Sequence, residues 1–429
     1  MLNLNKKFIG KKLVLLGTNP GTIDILNYAR SQGAYVIVTD NQPTEKSAAK
    51  QIADEAWPIS TADVDTLEKL AIQHKINGVF AGVSEFNLEK ALTLCERLGL
   101  PFYCTRQQWE TCNNKQRFKQ LCIANDVPAP REYQIDSSYK KEDLKQIKYP
   151  VIVKPVDRSA GTGIGICSNE DKLLMAFGKA ISLSKTRQVI VEELVKGDEF
   201  TAAYTIKDSQ ISLTYVKDRY MTPEISGTIP LPQANILPSK YTDQYIRELN
   251  SKIIKLFQSI GLTNGFIFIQ GTRNNNGFHI FEANYRLPVD LLYRFTSRIH
   301  HINYMEMLVN YALLGKMDGY ELIFDNPNYD KWGCCLDLLS KGGIVGKIIG
   351  LEDIRNNKNL IAVDQIYSIG DYIEKSGNLR QVYLRILIIE NTIQELKNSI
   401  KEIQKTVRVL DDKGNDMLLP PFDTDRIQA

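Results

Sequence analysis

The chain has 429 residues, of which 43% are hydrophobic and 24% charged, and this composition is typical of a globular protein of two or three domains rather than a disordered or fibrous chain. Its 53 basic and 50 acidic residues are interspersed and leave a net charge of only +3, which does not indicate a surface for nucleic acid. No apolar run approaches the roughly 18 to 20 residues that span a bilayer, so we expect no membrane segment.

The first elements predict a doubly wound, parallel βαβ arrangement. Leu13 to Leu16 form an apolar strand, Thr22 to Ser31 a helix, and a second strand ends at Asp40. A helix over 63–74, a strand "GVFAG" and a helix over 87–98 continue the pattern. The loop "GTNPGT" lacks the middle glycine that lets a backbone approach a pyrophosphate, so an NAD-dependent oxidoreductase is the weakest of our hypotheses.

A second unit begins at Asn113, where a helix, two prolines and a charged connector precede a new set of strands. The tail from about Tyr320 predicts a β-rich run, "QVYLRILIIE", a helix near 392–404 and a last strand, "VRVL". Between Asn113 and Tyr320 we expect three strands, at Val151–Lys154, Gln188–Glu192 and Thr201–Ile206. A helix over Tyr245–Ile260 and a hairpin that turns at Asn274–Gly277 follow them.

Seven cysteines form an odd set with no Cys-x-x-Cys pair. The N-terminal "KKFIGKKLVLLG" has only four apolar residues in a row, so it predicts a first strand and not a signal peptide. These features favour a reducing compartment, and we expect a cytoplasmic protein. Neither the cysteine nor the histidine spacing indicates a zinc site.

The stretch "YPVIVKPVDRSAGTGIGI" joins an apolar strand to Lys154 and then to a loop with alternating glycines. In a P-loop the glycines precede the lysine, whereas Gly161, Gly163 and Gly165 follow it here. A lysine at a strand end nevertheless supplies a fixed positive charge, and backbone amides of a closing loop can bind phosphates. We interpret the stretch as a phosphate-binding element, with a strand and a flexible turn as the alternative.

Two later stretches have the chemistry of a nucleotide and metal site. In "VIVEELVKGDEF" an apolar strand ends in acidic residues. A strand end offers the backbone donor and acceptor pair that adenine needs, and a carboxylate can accept hydrogen bonds from the ribose hydroxyls. The alternative interpretation is that these acids mark the exposed end of a strand. The hairpin presents Gln270 on one strand, and Glu282 and Asn284 two residues apart on one face of the other. Such oxygen groups suit Mg²⁺, and Arg286 on the same face would brace a phosphoryl group.

With these motifs in this order, most of the chain resembles the ATP-grasp superfamily of carboxylate-amine ligase type. The resemblance implies an α/β and α+β protein: a Rossmann-like pre-ATP-grasp domain over 1–112, an ATP-grasp domain over 113–319 with a nucleotide lid at about 150–212, and a C-terminal mixed α/β cap over 320–429. It also implies ATP with Mg²⁺ or Mn²⁺. By this resemblance the ATP-binding residues are Lys115, Lys154, Ser159, Gly161, Gly163, Glu192, Glu193, Val195 and Glu199, the metal ligands are Gln270, Glu282 and Asn284, and the catalytic residues are Arg286 and Lys154.

The function that the resemblance implies is ADP-forming ligation. A carboxylate is activated as an acyl phosphate and an amine then displaces phosphate to give an amide or peptide bond, as in L-amino acid ligases. Tyr285 replaces the proline that the family carries between its asparagine and arginine. The alternatives are phosphorylation of bicarbonate, as in biotin carboxylase or carbamoyl phosphate synthetase, and an ATP-binding regulatory protein without turnover. A single ATP-grasp unit without a glutaminase, and "NYRLPVDLLYR" in place of the longer biotin carboxylase motif, disfavour the bicarbonate enzymes.

Two residues are candidates for contact with the small-molecule carboxylate and amine. Glu85 follows a strand at the carboxyl edge of the first sheet, where open α/β sheets bind ligands; the alternative is an acid favoured by a helix N-terminus. Arg294 follows the metal hairpin and would meet a substrate carboxylate, or lie on a solvated helix face. We expect neither a nucleic-acid nor a membrane partner, and a homodimer is compatible with the sequence.

Overall fold

A computed structural model describes residues 6–135, 139–158, 161–223 and 230–428. The first part is a parallel sheet of four strands in the order β3-β2-β1-β4, and the predicted parallel pattern is confirmed. Its central strands are apolar throughout because helices cover the sheet. The elements are β1 (Lys12–Leu16), α1 (Thr22–Ser31), β2 (Tyr35–Thr39), a 3₁₀ turn (Thr44–Lys46), α2 (Ala48–Ile52), β3 (Glu55–Trp57), α3 (Val64–His74), β4 (Gly78–Phe80) and α4 (Glu85–Leu98).

A small antiparallel sheet follows, with the strand order β5-β8-β6-β7. One long helix packs on it through Leu173, Phe177 and Ala180 and forms a separate apolar core with Val151 and Val153. We call this unit the lid sheet. The elements are α5 (Arg106–Asn113), α6 (Lys115–Ala124), β5 (Glu132–Tyr133), α7 (Lys141–Lys145), β6 (Val151–Pro155), β7 (Gly165–Cys167), α8 (Glu170–Leu183) and β8 (Val189–Glu193).

The largest layer is an antiparallel sheet of eight strands in the order β13-β12-β9-β10-β11-β14-β18-β16, and three further strands pair as β17-β15-β19. The middle elements are β9 (Asp198–Lys207), β10 (Gln210–Met221), β11 (Pro232–Leu237), α9 (Thr242–Tyr245), a π turn (Ile246–Asn250), α10 (Ser251–Ile260), β12 (Gly265–Asn274), β13 (Gly277–Asn284), α11 (Tyr293–His300) and α12 (Tyr304–Leu314). The last are a 3₁₀ turn (Leu322–Phe324), β14 (Trp332–Leu339), β15 (Gly343–Ile349), α13 (Leu351–Arg355), β16 (Leu360–Gln365), β17 (Tyr372–Ile373), a 3₁₀ turn (Leu379–Gln381), β18 (Val382–Glu390), α14 (Ile393–Thr406), β19 (Arg408–Asp411) and a 3₁₀ turn (Thr424–Arg426).

The large sheet continues across two of the boundaries that we predict from the sequence. β9 pairs with β12 from Asp198 to Ile206, although residues up to about 212 are predicted to belong to the lid. β11 pairs with β14 from Ala234↔Leu336 to Leu237↔Gly333, so strands of the predicted cap extend the sheet. The hydrogen-bonded layer thus joins the β12–β13 hairpin, at one edge, to the C-terminal strands.

Two further findings concern the described residues as a whole. All seven cysteines are buried and free. Within the described ranges, no helix combines the length and the apolar character that crossing a membrane requires.

Candidate active site

Lys115 connects helix α6 to both sides of the site. It is the first residue of the helix, whose N-terminus is capped by the Asn114 side chain, and it is only 7% exposed. Its Nζ donates a hydrogen bond to the carbonyl oxygen of Arg158 at 2.8 Å, at the start of the glycine loop. The same atom lies 3.8 Å from Oε1 of Glu282 on the hairpin. The predicted phosphate lysine therefore lies between the predicted loop and the predicted metal ligands.

Lys154 belongs to a buried ionic cluster that includes a second lysine. Both Lys154 and Lys119 form ion pairs with Glu192, one with each carboxylate oxygen. All three residues are nearly inaccessible, with Glu192 1% exposed. Burial raises the pKa of Glu192, but the two ammonium groups outweigh this and hold it below its usual value, so the carboxylate is ionised. Lys119 is absent from our predicted site. The sequence contains a signal for it, because Lys119 lies one helical turn after Lys115 and the two side chains share one face of α6.

The three predicted metal ligands converge on the β12–β13 hairpin. Gln270 and Glu282 are cross-strand partners, next to a β-bulge, and the Asn284 amide donates to Oε1 of Glu282 at 3.4 Å. The described residues hold no group of three or more His, Cys, Asp or Glu side chains suited to a metal, and the predicted set consists of one carboxylate and two amides. All three side chains offer oxygen atoms, so the set fits Mg²⁺.

Arg286 joins this hairpin to the first parallel sheet. Its Nη2 and Nε atoms lie 2.9 and 3.2 Å from Oε1 of Glu85, and Nη2 lies 3.3 Å from Oδ1 of Asn284. The guanidinium also lies 5.3 Å from the ring centre of Phe268. Glu85 is the first residue of α4, after the N-cap Ser84. Two residues 201 positions apart, both predicted for the site, are therefore in direct contact.

Tyr285, at the position where the family carries proline, is accommodated in the core. Its ring is fully buried and packs edge to face on Tyr103 at 5.2 Å between ring centres. The hydroxyl donates to the carbonyl oxygen of Asn264, and the carbonyl oxygen of Tyr285 accepts from the Tyr103 hydroxyl at 2.9 Å. These anchors fix the backbone between Asn284 and Arg286 by side-chain contacts in place of a proline ring.

The predicted adenine and ribose residues lie at the end of β8 and beyond it. Because successive residues of a strand face opposite sides, Glu192 is buried while Glu193 is exposed. Val195 is half-buried just beyond the strand. Glu199 lies on β9, where Oε2 accepts a hydrogen bond from Arg219 at 2.8 Å. The structure thus gives Glu199 a partner on the neighbouring strand β10.

The glycine loop needs glycine at two described positions. Gly161 and Gly163 have φ angles of +77° and +78°, in the left-handed region that side chains with a Cβ disfavour. A Cβ on Gly163 would also lie 2.9 Å from Cγ of Pro155. Ser159, predicted as a phosphate ligand, lies outside the described residues.

Arg294 is engaged away from the hairpin. Its Nε lies 2.6 Å from Oδ2 of Asp24 on α1, and its Nη1 lies 2.6 Å from Oδ2 of Asp364 on β16. Burial would lower the pKa of Arg294, but the two carboxylates raise it above its ordinary value. The predicted substrate residue forms an ionic bridge between the first sheet and the C-terminal strands.

A second buried ionic network follows the hairpin and is absent from our sequence predictions. Lys217 on β10 pairs with Asp290, and Arg385 on β18 pairs with Asp337 on β14 at 2.8 and 2.9 Å. Arg385 also donates to the carbonyl oxygen of Val289. The signal in the sequence is a charged residue inside an apolar strand, as in "YVKDRY" and "LRILII", which requires a buried partner.

Comparison with known proteins finds relatives in sequence and in fold. A model of the family D-ala D-ala ligase C-terminus matches residues 127–224. The carbamoyl phosphate synthase large chain of Clostridium botulinum is 24% identical over 306 residues, which are 66% of this chain and 28% of that protein. The formate-dependent phosphoribosylglycinamide formyltransferase of Prochlorococcus marinus is 27% identical over 200 residues, 46% of this chain and 50% of that protein. The chain therefore spans half or less of the length of these curated relatives.

Several solved structures resemble nearly the whole chain, and one of them serves as an example. It is the biotin carboxylase domain dimer of Hydrogenobacter thermophilus 2-oxoglutarate carboxylase in complex with MgADP and bicarbonate, with a TM-score of 0.78 and 16% identity over 95% of this chain and 91% of that one. At this identity the likeness concerns the fold. The predicted fold class is confirmed, and so is the predicted resemblance to the ATP-grasp superfamily.

Proposed function

We propose that the chain is an ATP-dependent ligase that activates a small carboxylate as an acyl phosphate and couples it to an amine with release of ADP. ATP and Mg²⁺ are the cofactors of this proposal. The buried free cysteines support our expectation of a reducing compartment.

One observation carries the proposal: a continuous series of polar contacts runs from Lys115 to Glu85 at the start of α4. Lys115 lies 3.8 Å from Glu282, Glu282 accepts from Asn284 at 3.4 Å, Asn284 lies 3.3 Å from Arg286, and Arg286 pairs with Glu85 at 2.9 Å. The series joins a cation for phosphates, oxygen ligands for a metal ion, a guanidinium for a transferring group and a carboxylate beside it. Three separate parts of the chain contribute.

Each group has a task in phosphoryl transfer, which depends on positioning and on charge stabilisation. Lys115 and Lys154 neutralise phosphate oxygens. Gln270, Glu282 and Asn284 would hold Mg²⁺, which screens phosphate charge when bound. Arg286 offers the planar fork that matches a carboxylate or phosphoryl group.

In this proposal Glu85 binds the amine substrate. As the first residue of α4 it lies at the carboxyl edge of the parallel sheet, and its side chain reaches Arg286. An ammonium group would share the Glu85 carboxylate, while the guanidinium receives the acid. This arrangement brings the two reacting groups of a ligation side by side, which supports a ligase over an ATP-binding regulator.

The test is ADP release with Mg-ATP and a matrix of small carboxylates and amines. We expect at least one pair of substrates to raise release well above the ATP-only background, with formation of an amide. Bicarbonate forms a separate arm, because release with bicarbonate alone would favour the carboxylase-like alternative. ATP binding without stimulated release by any mixture would contradict the ligase proposal.

A further inference from the structure

The Glu192 carboxylate has two cationic partners where one would neutralise it. Lys119 approaches Oε1 and Lys154 approaches Oε2, so each lysine uses a different oxygen. All three side chains are 5% exposed or less. Because each oxygen has its own partner, one lysine can leave while the carboxylate stays paired with the other.

The two lysines differ in how firmly they are placed. Lys119 lies on helix α6 and has a second carboxylate, Oε2 of Glu132 on β5, at 3.9 Å. Lys154 lies near the end of β6, shortly before the glycine loop, and its Nζ is 5.5 Å from the ring centre of Phe281, the neighbour of Glu282. Lys119 is therefore held among the lid-sheet acids, whereas Lys154 faces the hairpin.

A buried carboxylate that loses its only cation is costly. If Glu192 depended on Lys154 alone, moving Lys154 to a phosphate would leave an unpaired buried charge. With Lys119 in place the same movement leaves a neutral pair. The second lysine thus removes an electrostatic penalty that nucleotide binding would otherwise face.

We propose that Lys119 is a positioning residue that keeps Glu192 neutralised, so that Lys154 can exchange the Glu192 carboxylate for a nucleotide phosphate. The inference rests on the proposed function in assigning Lys154 to a phosphate. Lys119 itself stays with Glu192 and need not contact the nucleotide.

The inference predicts a specific pattern in ADP affinity, measured by titration calorimetry with Mg²⁺. Lys119→Met binds ADP about 10 to 100 times more weakly, because Lys154 is retained by Glu192. Lys119→Arg keeps the affinity within about threefold of wild type. Glu192→Gln carries no charge to neutralise, and it serves as the reference for the double variant. In the double variant Lys119→Met/Glu192→Gln the affinity returns to within about threefold of Glu192→Gln.

A role for Lys119 in packing alone predicts a different pattern, in which the double variant binds as weakly as Lys119→Met. That result, or wild-type affinity in Lys119→Met, would overturn the inference. Should Lys119→Met fail to fold, the double variant decides: affinity more than tenfold weaker than that of Glu192→Gln would contradict the inference. If wild-type chain binds no ADP, the proposed function falls and this inference with it; if only the variant pattern fails, the proposed function stands.

Discussion

Replacing Glu282 by glutamine removes the single carboxylate from the predicted metal ligands while keeping the shape of the side chain. The Oε1 atom that accepts from Asn284 at 3.4 Å can still do so in the variant. What changes is the charge that faces Lys115 at 3.8 Å and the charge offered to Mg²⁺. The variant therefore separates electrostatics from packing.

The structure sets the expected size of the effect. Two unit charges at this distance attract by about 4 kcal/mol at an effective dielectric constant of about 20. Because the Glu282 side chain is 23% exposed, solvent screens the pair, and we expect about 1 to 2 kcal/mol. Because Lys115 is freed from this attraction, the Glu282→Gln variant should bind ADP in the absence of Mg²⁺ about 5 to 30 times more tightly than wild type. Turnover should fall by about a thousandfold or more, which corresponds to about 4 kcal/mol.

Calorimetric titration of ADP with and without Mg²⁺ measures the first effect, and ADP release with the best substrate pair measures the second. The matched control is Glu352→Gln on α13, an exposed glutamate whose partner is Arg355. It should leave both quantities unchanged. Glu282→Gln protein that keeps the Mg²⁺ dependence and turnover of wild type would refute the assignment of the hairpin as the metal site.

Three further predictions concern the fold around the site. A double-mutant cycle of Arg286→Gln and Glu85→Gln, followed by urea unfolding, should give a coupling free energy of about 1 to 2 kcal/mol; a value near zero would contradict the contact. Gly163→Ala should destabilise the lid by about 1 to 2 kcal/mol in thermal unfolding, since φ is +78°, whereas Gly178→Ala on the exposed face of α8 should stabilise it by about 0.5 to 1 kcal/mol; equal effects would refute the reasoning. Burial raises the pKa of Asp218 from its ordinary value of 3.8 to about 6. Between these two pH values the Asp218 carboxyl keeps its proton in the folded chain and loses it in the unfolded chain. Wild-type stability should therefore fall by about 3 kcal/mol as pH rises from about 4 to 7, and Asp218→Asn should lack this component; parallel pH profiles would contradict it.

The elements and the local motifs could be predicted from the sequence because their signals are local. The α1 helix has the predicted bounds, and α14 begins after Thr392, whose side chain forms a capping box with Glu395. Glu282 and Asn284 share the predicted strand face, and Lys154 ends the predicted apolar strand. Each of these features depends on periodicity or on residues a few positions apart.

The ionic partners could not be predicted because they depend on long-range packing. Glu192 is predicted to lie beside adenine, and that prediction gives no sign that its side chain pairs with two lysines, one of them 73 positions away. Arg294 has the positive charge expected of a residue that meets a substrate carboxylate, and the fold brings it two carboxylates of the chain itself, from α1 and β16. Likewise the pairing of β11 with β14 depends on the sheet as a whole, and a change in composition near Tyr320 does not reveal it.

The central claim is that a carboxylate is activated by phosphoryl transfer, and isotope transfer tests it most directly. The substrate acid identified in the screen is labelled with ¹⁸O in its carboxylate, and the phosphate released with the amide product is analysed by mass spectrometry. An acyl phosphate intermediate predicts one ¹⁸O atom in each phosphate, because the carboxylate oxygen that attacks ATP leaves with phosphate when the amine displaces it. Amide formation with unlabelled phosphate would contradict the account.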